Sequence, residues 1–224
     1  DRLVNEINSV VRENDILFHL GDWSFGGIEN VWEFRKRIKC KTIHIVTGNH
    51  DHHIRNNRVL PNVWCDSMDR FVDGPNPMRY GDHRDEMFNV TAQQLFTSVN
   101  DVIRLEIRIR LSKEKSIKKR FVLSHFPFAS WEDMNNGVIH LHGHLHLEDA
   151  LKLHEGRSID VGVDGADYAP YIFQSIVSIM RDRPVAYTVL RRDHHLNKRE
   201  DNGNREHNYT WQSDTCQIHG SQEA

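Results

Sequence analysis

Residues 43–51 read Ile43-His44-Ile45-Val46-Thr47-Gly48-Asn49-His50-Asp51, an apolar, β-branched run that opens into a polar Gly-Asn-His-Asp cluster. Three other places repeat the arrangement. Ile16-Leu17-Phe18-His19-Leu20 runs into Gly21-Asp22, and Phe121-Val122-Leu123 into Ser124-His125. Val138-Ile139-His140-Leu141 leads to Gly143-His144-Leu145-His146. Runs of this kind read as buried strands, and in α/β sheets ligand and metal sites gather beyond the carboxyl ends of strands. One Asp, one Asn and three His then converge on a single cleft, which has the makings of a metal site.

Working outward, Leu3, Val4, Ile7, Val10 and Val11 follow helical spacing and predict an amphipathic helix packed on a sheet. A second helix is expected from Glu29 to Lys39, with Val31, Trp32, the stem of Arg35 and Ile38 facing inward, after a flexible Gly26-Gly27 loop. Helix, strand, helix, strand is the order of a layered α/β fold. From His52 to Gln94, Pro61, Pro75, Pro77 and Gly81 predict a long loop region with short elements, the kind that carries specificity. Ile103, Leu105, Ile107, Ile109 and Leu111 alternate with charged residues, so 102–111 reads as a half-exposed strand in a hairpin with Phe121–Leu123. The basic stretch Lys113–Arg120 is expected at the hairpin turn. Residues 159–163 and 185–190 are further strand candidates. Beyond Arg191 the chain turns polar, giving a domain over 1–190 and a disordered tail over 191–224.

A chain of 224 residues suits one large domain, and 38% hydrophobic with 27% charged residues suits a soluble protein. A net charge of −3 gives no reason to expect binding to a membrane or to nucleic acid through global electrostatics. Cys40, Cys65 and Cys216 are odd in number and widely spaced, which fits reduced thiols and a cytoplasmic protein; no secretion signal or membrane-length apolar run is seen. Histidine is the outlier, at 16 residues, of which His194, His195, His207 and His219 fall in the polar tail.

The chemistry follows from the residue types. Asp22 has two oxygens and suits a bridge between two ions, with Gly21 allowing the backbone to turn tightly; imidazoles hold divalent transition metals, and Asn49 coordinates without adding charge. His144 and His146 share one side of an extended segment, or a turn at Gly143 splays them to two ions. His50, with Asp51 beside it, has the form of a polarised histidine that donates a proton to a leaving oxygen. Each residue alone has an ordinary structural reading, such as a turn or helix cap for Asp22. The four clusters together do not.

These blocks, in this order, resemble the calcineurin-like metallophosphoesterase superfamily, above all its small phage and bacterial phosphoesterases. The likeness spans roughly residues 1 to 180 and includes Trp131 and Asp160-Val161-Gly162-Val163-Asp164. It implies a four-layer α/β/β/α sandwich of two packed β-sheets flanked by helices, with a dinuclear site at the sheet ends. By motif, Asp22 would bridge two divalent ions (manganese foremost, or iron, zinc, nickel or cobalt). Asn49, His125 and His144 would complete one shell and His146 would bind the other ion. His50 would act at the scissile phosphate, oriented by Asp51, while metal-bound hydroxide attacks phosphorus. The implied substrate is a small phosphate monoester or diester; nucleic acid enters only as a substrate, and no oligomeric state is implied. The other readings are a nuclease of the same superfamily and a non-catalytic scaffold that binds a partner. The family's first block, Asp-x-His, is absent upstream of Asp22. The expectation is therefore a chain lacking about twenty to thirty residues and its first strand, with weakened or lost turnover.

Overall fold

The computed structural model describes residues 1–65, 70–73, 87–110, 112, 113, 115–153 and 155–185, with the backbone alone for 61–65, 70–73 and 87–89. Helix α1 (Arg2–Val10) forms where the apolar spacing predicts it, and Val11 leaves it in extended conformation. Its Val4 and Ile7 pack, with Val11, against Leu17, Ile43 and Ile45. Those residues belong to strands β1 (Ile16–His19) and β2 (Thr42–Val46), which pair in parallel; β2 in turn pairs in parallel with a short later strand at Ser98–Asn100.

Between β1 and β2 runs α2 (Ile28–Arg35), with Glu29 in its first turn and Arg35 in its last, both complementing the helix dipole. It ends four residues earlier than the periodicity predicts. Arg37 and Ile38 donate to the carbonyls of Phe34 and Arg35, tightening the chain into a 3₁₀ turn, and the Arg35 guanidinium binds the carbonyls of Ile38 and Leu95 at 3.1 and 3.0 Å. Ile38 is buried from that turn, while Phe34 packs on Trp23 from the helix.

The region 52–94 is more regular than its punctuation predicts. After a single helical turn, α3 (His52–Arg55), it forms a three-stranded antiparallel sheet of β3 (Val59–Cys65), β4 (Arg70–Asp73) and β5 (Met87–Thr91), with β3 in the centre. Pro61 sits inside that central strand, where a proline would remove a ladder hydrogen bond. The register with β5 shifts between Val59 and Val63, and this irregularity is how a strand accommodates it. Pro75, Pro77 and Gly81 lie outside the described residues.

The short strand already met is β6 (Ser98–Asn100). The hairpin then forms as expected: β7 (Val102–Arg110) pairs with β8 (Ser116–Ser124) from Val102↔Ser124 to Arg110↔Ser116. The basic stretch is only partly a turn, because Ser116–Arg120 continues the strand, where Lys118 and Arg108 both pair with Glu106. Strands β9 (Ile139–His142) and β10 (Ser158–Asp160) extend the sheet in parallel; the segment expected as a strand to 163 leaves it at Asp160 for a 3₁₀ turn at Val163–Ala166. Helix α4 (Phe173–Arg181), which the sequence reading left unassigned, seats Ile176, Val177 and Met180 beside this sheet. Residues 186–190 and 191–224 lie outside the described residues.

The β1–β2–β6 sheet and the four-stranded β7–β10 sheet pack face to face. Val46, Phe18 and Leu20 of the first meet Ile107, Ile109, Phe121, Leu123, Ile139, Leu141 and Ile159 of the second. Helices α1 and α2 cover the outer face of the first sheet, and Phe128, Trp131, Met134 and Val138 close over Val122 on the far face of the second. This is the expected mixed α/β architecture. It brings the carboxyl ends of β1, β2, β8 and β9 to one edge of the sandwich.

Candidate metal centre

Each of those four strand ends delivers one side chain, and the loops that carry them touch. Gly21 has φ +95°, a left-handed conformation, and a Cβ there would stand 2.5 Å from His125 Nδ1 and 2.6 Å from the Gly48 nitrogen. At Gly48 a Cβ would fall on the Asp22 carboxylate and lie 2.9 Å from His125 Cε1. The glycines of Gly21-Asp22 and Gly48-Asn49 are therefore needed for the β1 and β2 loops to meet over His125.

Asp51 joins these loops from below. It is buried, and its carboxylate accepts the backbone N–H groups of Asp22 (2.7 Å), Trp23 (2.8 Å) and Gly48 (2.8 Å). Both oxygens thus face main-chain donors. The link is reciprocal, since the His50 N–H donates to Asp22 Oδ1 at 2.9 Å.

The donor atoms themselves meet at His125. Its Nδ1 lies 2.7 Å from the Leu20 carbonyl, which only accepts, so in the neutral ring Nδ1 carries the proton and Nε2 the lone pair. Around Nε2 stand Asn49 Oδ1 at 2.9 Å, His144 Nδ1 at 3.2 Å and Asp22 Oδ2 at 3.5 Å. One ligand atom from each of Asp22, His125 and His144 lies within 4.8 Å of the others. Such a gathering of lone pairs with few protons to share is stabilised by a cation, and the carboxylate, amide and imidazole donors fit a divalent transition metal.

The backbone is held off its usual conformations at the same place. Asp22, His144 and His146 all have positive φ (55°, 72° and 53°). For non-glycine residues that costs about 1–2 kcal/mol each and persists only where the surroundings impose it, as at functional sites. At Gly143–His146 the chain turns instead of running extended, with Leu145 N–H bonded to the Gly143 carbonyl at 2.9 Å. His146 accordingly stands apart from the group, its Nδ1 2.9 Å from Asp164 Oδ2. His50 lies at the exposed rim with its ring 4.9 Å from that of Phe25.

Two histidines of the same strands lie beside the centre without having been singled out by motif. His19 has its ring edge-on to Trp23, and burial pushes its pKa down against the opposing pull of Asp51 and Asp22. His142, at the end of β9, is also pushed down by burial. Strand alternation was the available signal, as each precedes a motif residue by two or three positions.

A family model describing calcineurin-like phosphoesterases matches residues 1–161, which takes in β1 through β10 and every residue of the lone-pair cluster. The chain belongs to the calcineurin-like phosphoesterases. The family's general chemistry is metal-dependent hydrolysis of phosphoesters, and the Asp22–His125–His144 group is this chain's candidate metal site. No curated protein and no solved structure matches the chain. Among the described residues, no helix is long and apolar enough to cross a membrane.

Proposed function

We propose that this chain hydrolyses a small phosphate monoester or diester at a pair of divalent ions, manganese foremost. Asp22, Asn49, His125 and His144 would hold one ion, and Asp22 and His146 the other. The observation that carries this reading is the bare Nε2 of His125, its other nitrogen bonded to Leu20, facing three further donor atoms. When bound, the ions would supply Lewis acidity, acidifying water and neutralising charge on the phosphoryl oxygens.

The protein's own contribution is placement. Asp51 holds the two ligand-bearing loops in register through their amides, which makes it a positioning residue. His50 is anchored by its backbone to Asp22 while its ring stays at the open rim, where it can hold a proton for a leaving oxygen. The side chains of Phe25 and Phe126 are exposed beside His50 and His144 and form the apolar lip of the entrance.

The test pairs binding with turnover. Titration with Mn²⁺ should show binding that His125→Ala and Asp22→Ala each weaken by at least tenfold. With Mn²⁺ the parent should hydrolyse bis(p-nitrophenyl) phosphate or p-nitrophenyl phosphate, more slowly than a chain that carries an Asp-x-His block, and both variants should lose that turnover. A parent chain that binds Mn²⁺ no better than His125→Ala, or turns over neither ester, refutes the proposal.

A further inference from the structure

His146 and Asp164 form a pair whose purpose is not stability. Their side chains are 67% and 37% exposed, and an ion or hydrogen-bonded pair this open to water contributes little to folding. The pair does decide which ring nitrogen carries the proton. A carboxylate only accepts, so at 2.9 Å from Asp164 Oδ2 the His146 Nδ1 bears the hydrogen, and in the neutral ring Nε2 keeps its lone pair. His144, in the same motif, turns its Nδ1 toward His125 Nε2 at 3.2 Å.

The segment that carries Asp164 is built to stay against the His146 loop. Asp160, 1% exposed at the end of β10, accepts the Gly162 N–H at 2.7 Å, and Val161 N–H binds the His142 carbonyl at 2.7 Å. The chain then closes into the 3₁₀ turn Val163–Ala166. A Cβ placed on Gly165 would stand 2.9 Å from the Leu147 carbonyl oxygen and 3.3 Å from that of Glu148, so this turn rests directly on the backbone that follows His146. From the outside, Arg2 pairs with Asp167 and lies 4.5 Å over the Tyr168 ring, tying the turn to α1.

We propose that Asp164 is a positioning residue that locks His146 in its Nδ1–H tautomer and so presents Nε2 to a cation. The orienting effect stands on the geometry alone; its use for a cation rests on the reading of His146 as ligand to the second ion. Carboxylates that back a metal-binding histidine in this way typically change metal affinity 10–100-fold when removed.

The experiment reads the tautomer first. Long-range ¹H–¹⁵N spectra of the full chain, free of metal and above the ordinary histidine pKa, should show His146 protonated at Nδ1. Asp164→Ala should release it toward the Nε2–H form, and Asp164→Asn, whose Oδ1 still accepts, should restore Nδ1–H. Gly165→Ala, which presses the turn off the loop, should act like Asp164→Ala. In Mn²⁺ titrations, Asp164→Ala should weaken one binding step about 10–100-fold and leave the step that depends on His125 unchanged, with Asp164→Asn recovering most of the loss. A parent His146 found in the Nε2–H form, or a tautomer and isotherm that Asp164→Ala leaves unchanged, overturns the proposal. Loss of phosphoester turnover in the parent, with the tautomer shift intact, overturns the proposed activity and leaves the orienting role standing.

Discussion

Replacing Asp51 separates a clip from a catalyst. Its carboxylate takes three main-chain N–H groups at 2.7–2.8 Å, from a position 3% exposed. Hydrogen bonds to a charged acceptor are worth about 1.5–3 kcal/mol each, and donors left buried without a partner add their own desolvation cost. The three are not additive, because the Asp22 amide is only partly buried and water can reach it once the carboxylate is gone. Asp51→Ala should therefore cost about 3–5 kcal/mol, a large share of the roughly 5–15 kcal/mol that holds an ordinary domain together. Asp51→Asn keeps the shape but turns its amide donor toward another donor, and should cost about 2–3 kcal/mol. Urea unfolding of the metal-free chain measures both. For a domain of this size the alanine variant should also melt roughly 6–20 °C lower. Mn²⁺ affinity should fall together with stability, since Asp22 and Gly48 are the residues released. If Asp51→Ala unfolds within about 0.5 kcal/mol of the parent while turnover disappears, the carboxylate acts on the substrate and the positioning argument is wrong.

Two further outcomes follow from the same geometry. Gly48→Ala should leave the chain folded, at a cost of about 1–3 kcal/mol for overpacking, but should lower Mn²⁺ affinity by at least tenfold because the new methyl group falls on the Asp22 carboxylate; unchanged affinity would show that the two loops do not meet as described. His44 stacks on Phe18 and bonds Ser98 Oγ at 2.7 Å, and burial pushes its pKa below the ordinary 6.5. The unfolded chain then takes up a proton near pH 6.5 that the folded chain refuses. This contribution is complete above that pH and is lost as pH falls toward the folded value. In urea unfolding between pH 7 and 5, His44→Phe should lose stability less steeply than the parent, and parallel slopes would contradict the assignment.

Much of this fold was legible because its strands are short, apolar and β-branched, and because each ends in residues with a single strong chemical preference. Strand ends are where periodicity stops and chemistry starts, so Asp22, Asn49, His125 and His144 stand out as candidates in the sequence, and the fold brings their donor atoms together. Helix α1 was legible for the same reason: five apolar residues at one helical spacing admit one buried face. What was missed has a common cause too. The end of α2 is set by Arg35 reaching carbonyls on its own turn and on Leu95, a long-range contact that no local pattern encodes. The central position of β3 depends on partners up to 32 residues away in the chain, as in Val59↔Thr91, so its proline read as a loop. Helix α4 carries its apolar residues at helical spacing and went unassigned although the signal was present.

The limits of composition show most clearly among the histidines. His140 and His142 sit in the same strand as the metal motif and are equally rich in donor atoms, yet His140 has both nitrogens engaged by the protein. Phe128 N–H donates to its Nε2 at 3.0 Å, its Nδ1 faces the Val122 carbonyl at 3.1 Å, and its ring stacks on Phe128. His125 begins the same way, with Nδ1 spent on the Leu20 carbonyl, and then differs in one respect: its Nε2 meets acceptors where that of His140 meets a donor. A histidine whose second nitrogen finds an N–H is finished as a structural residue. One whose second nitrogen finds an amide oxygen, a carboxylate and another imidazole still requires positive charge. That difference lies in the partners brought by three separate strand ends, and it makes His125, and not its more deeply buried neighbours in β9, the residue on which the centre turns.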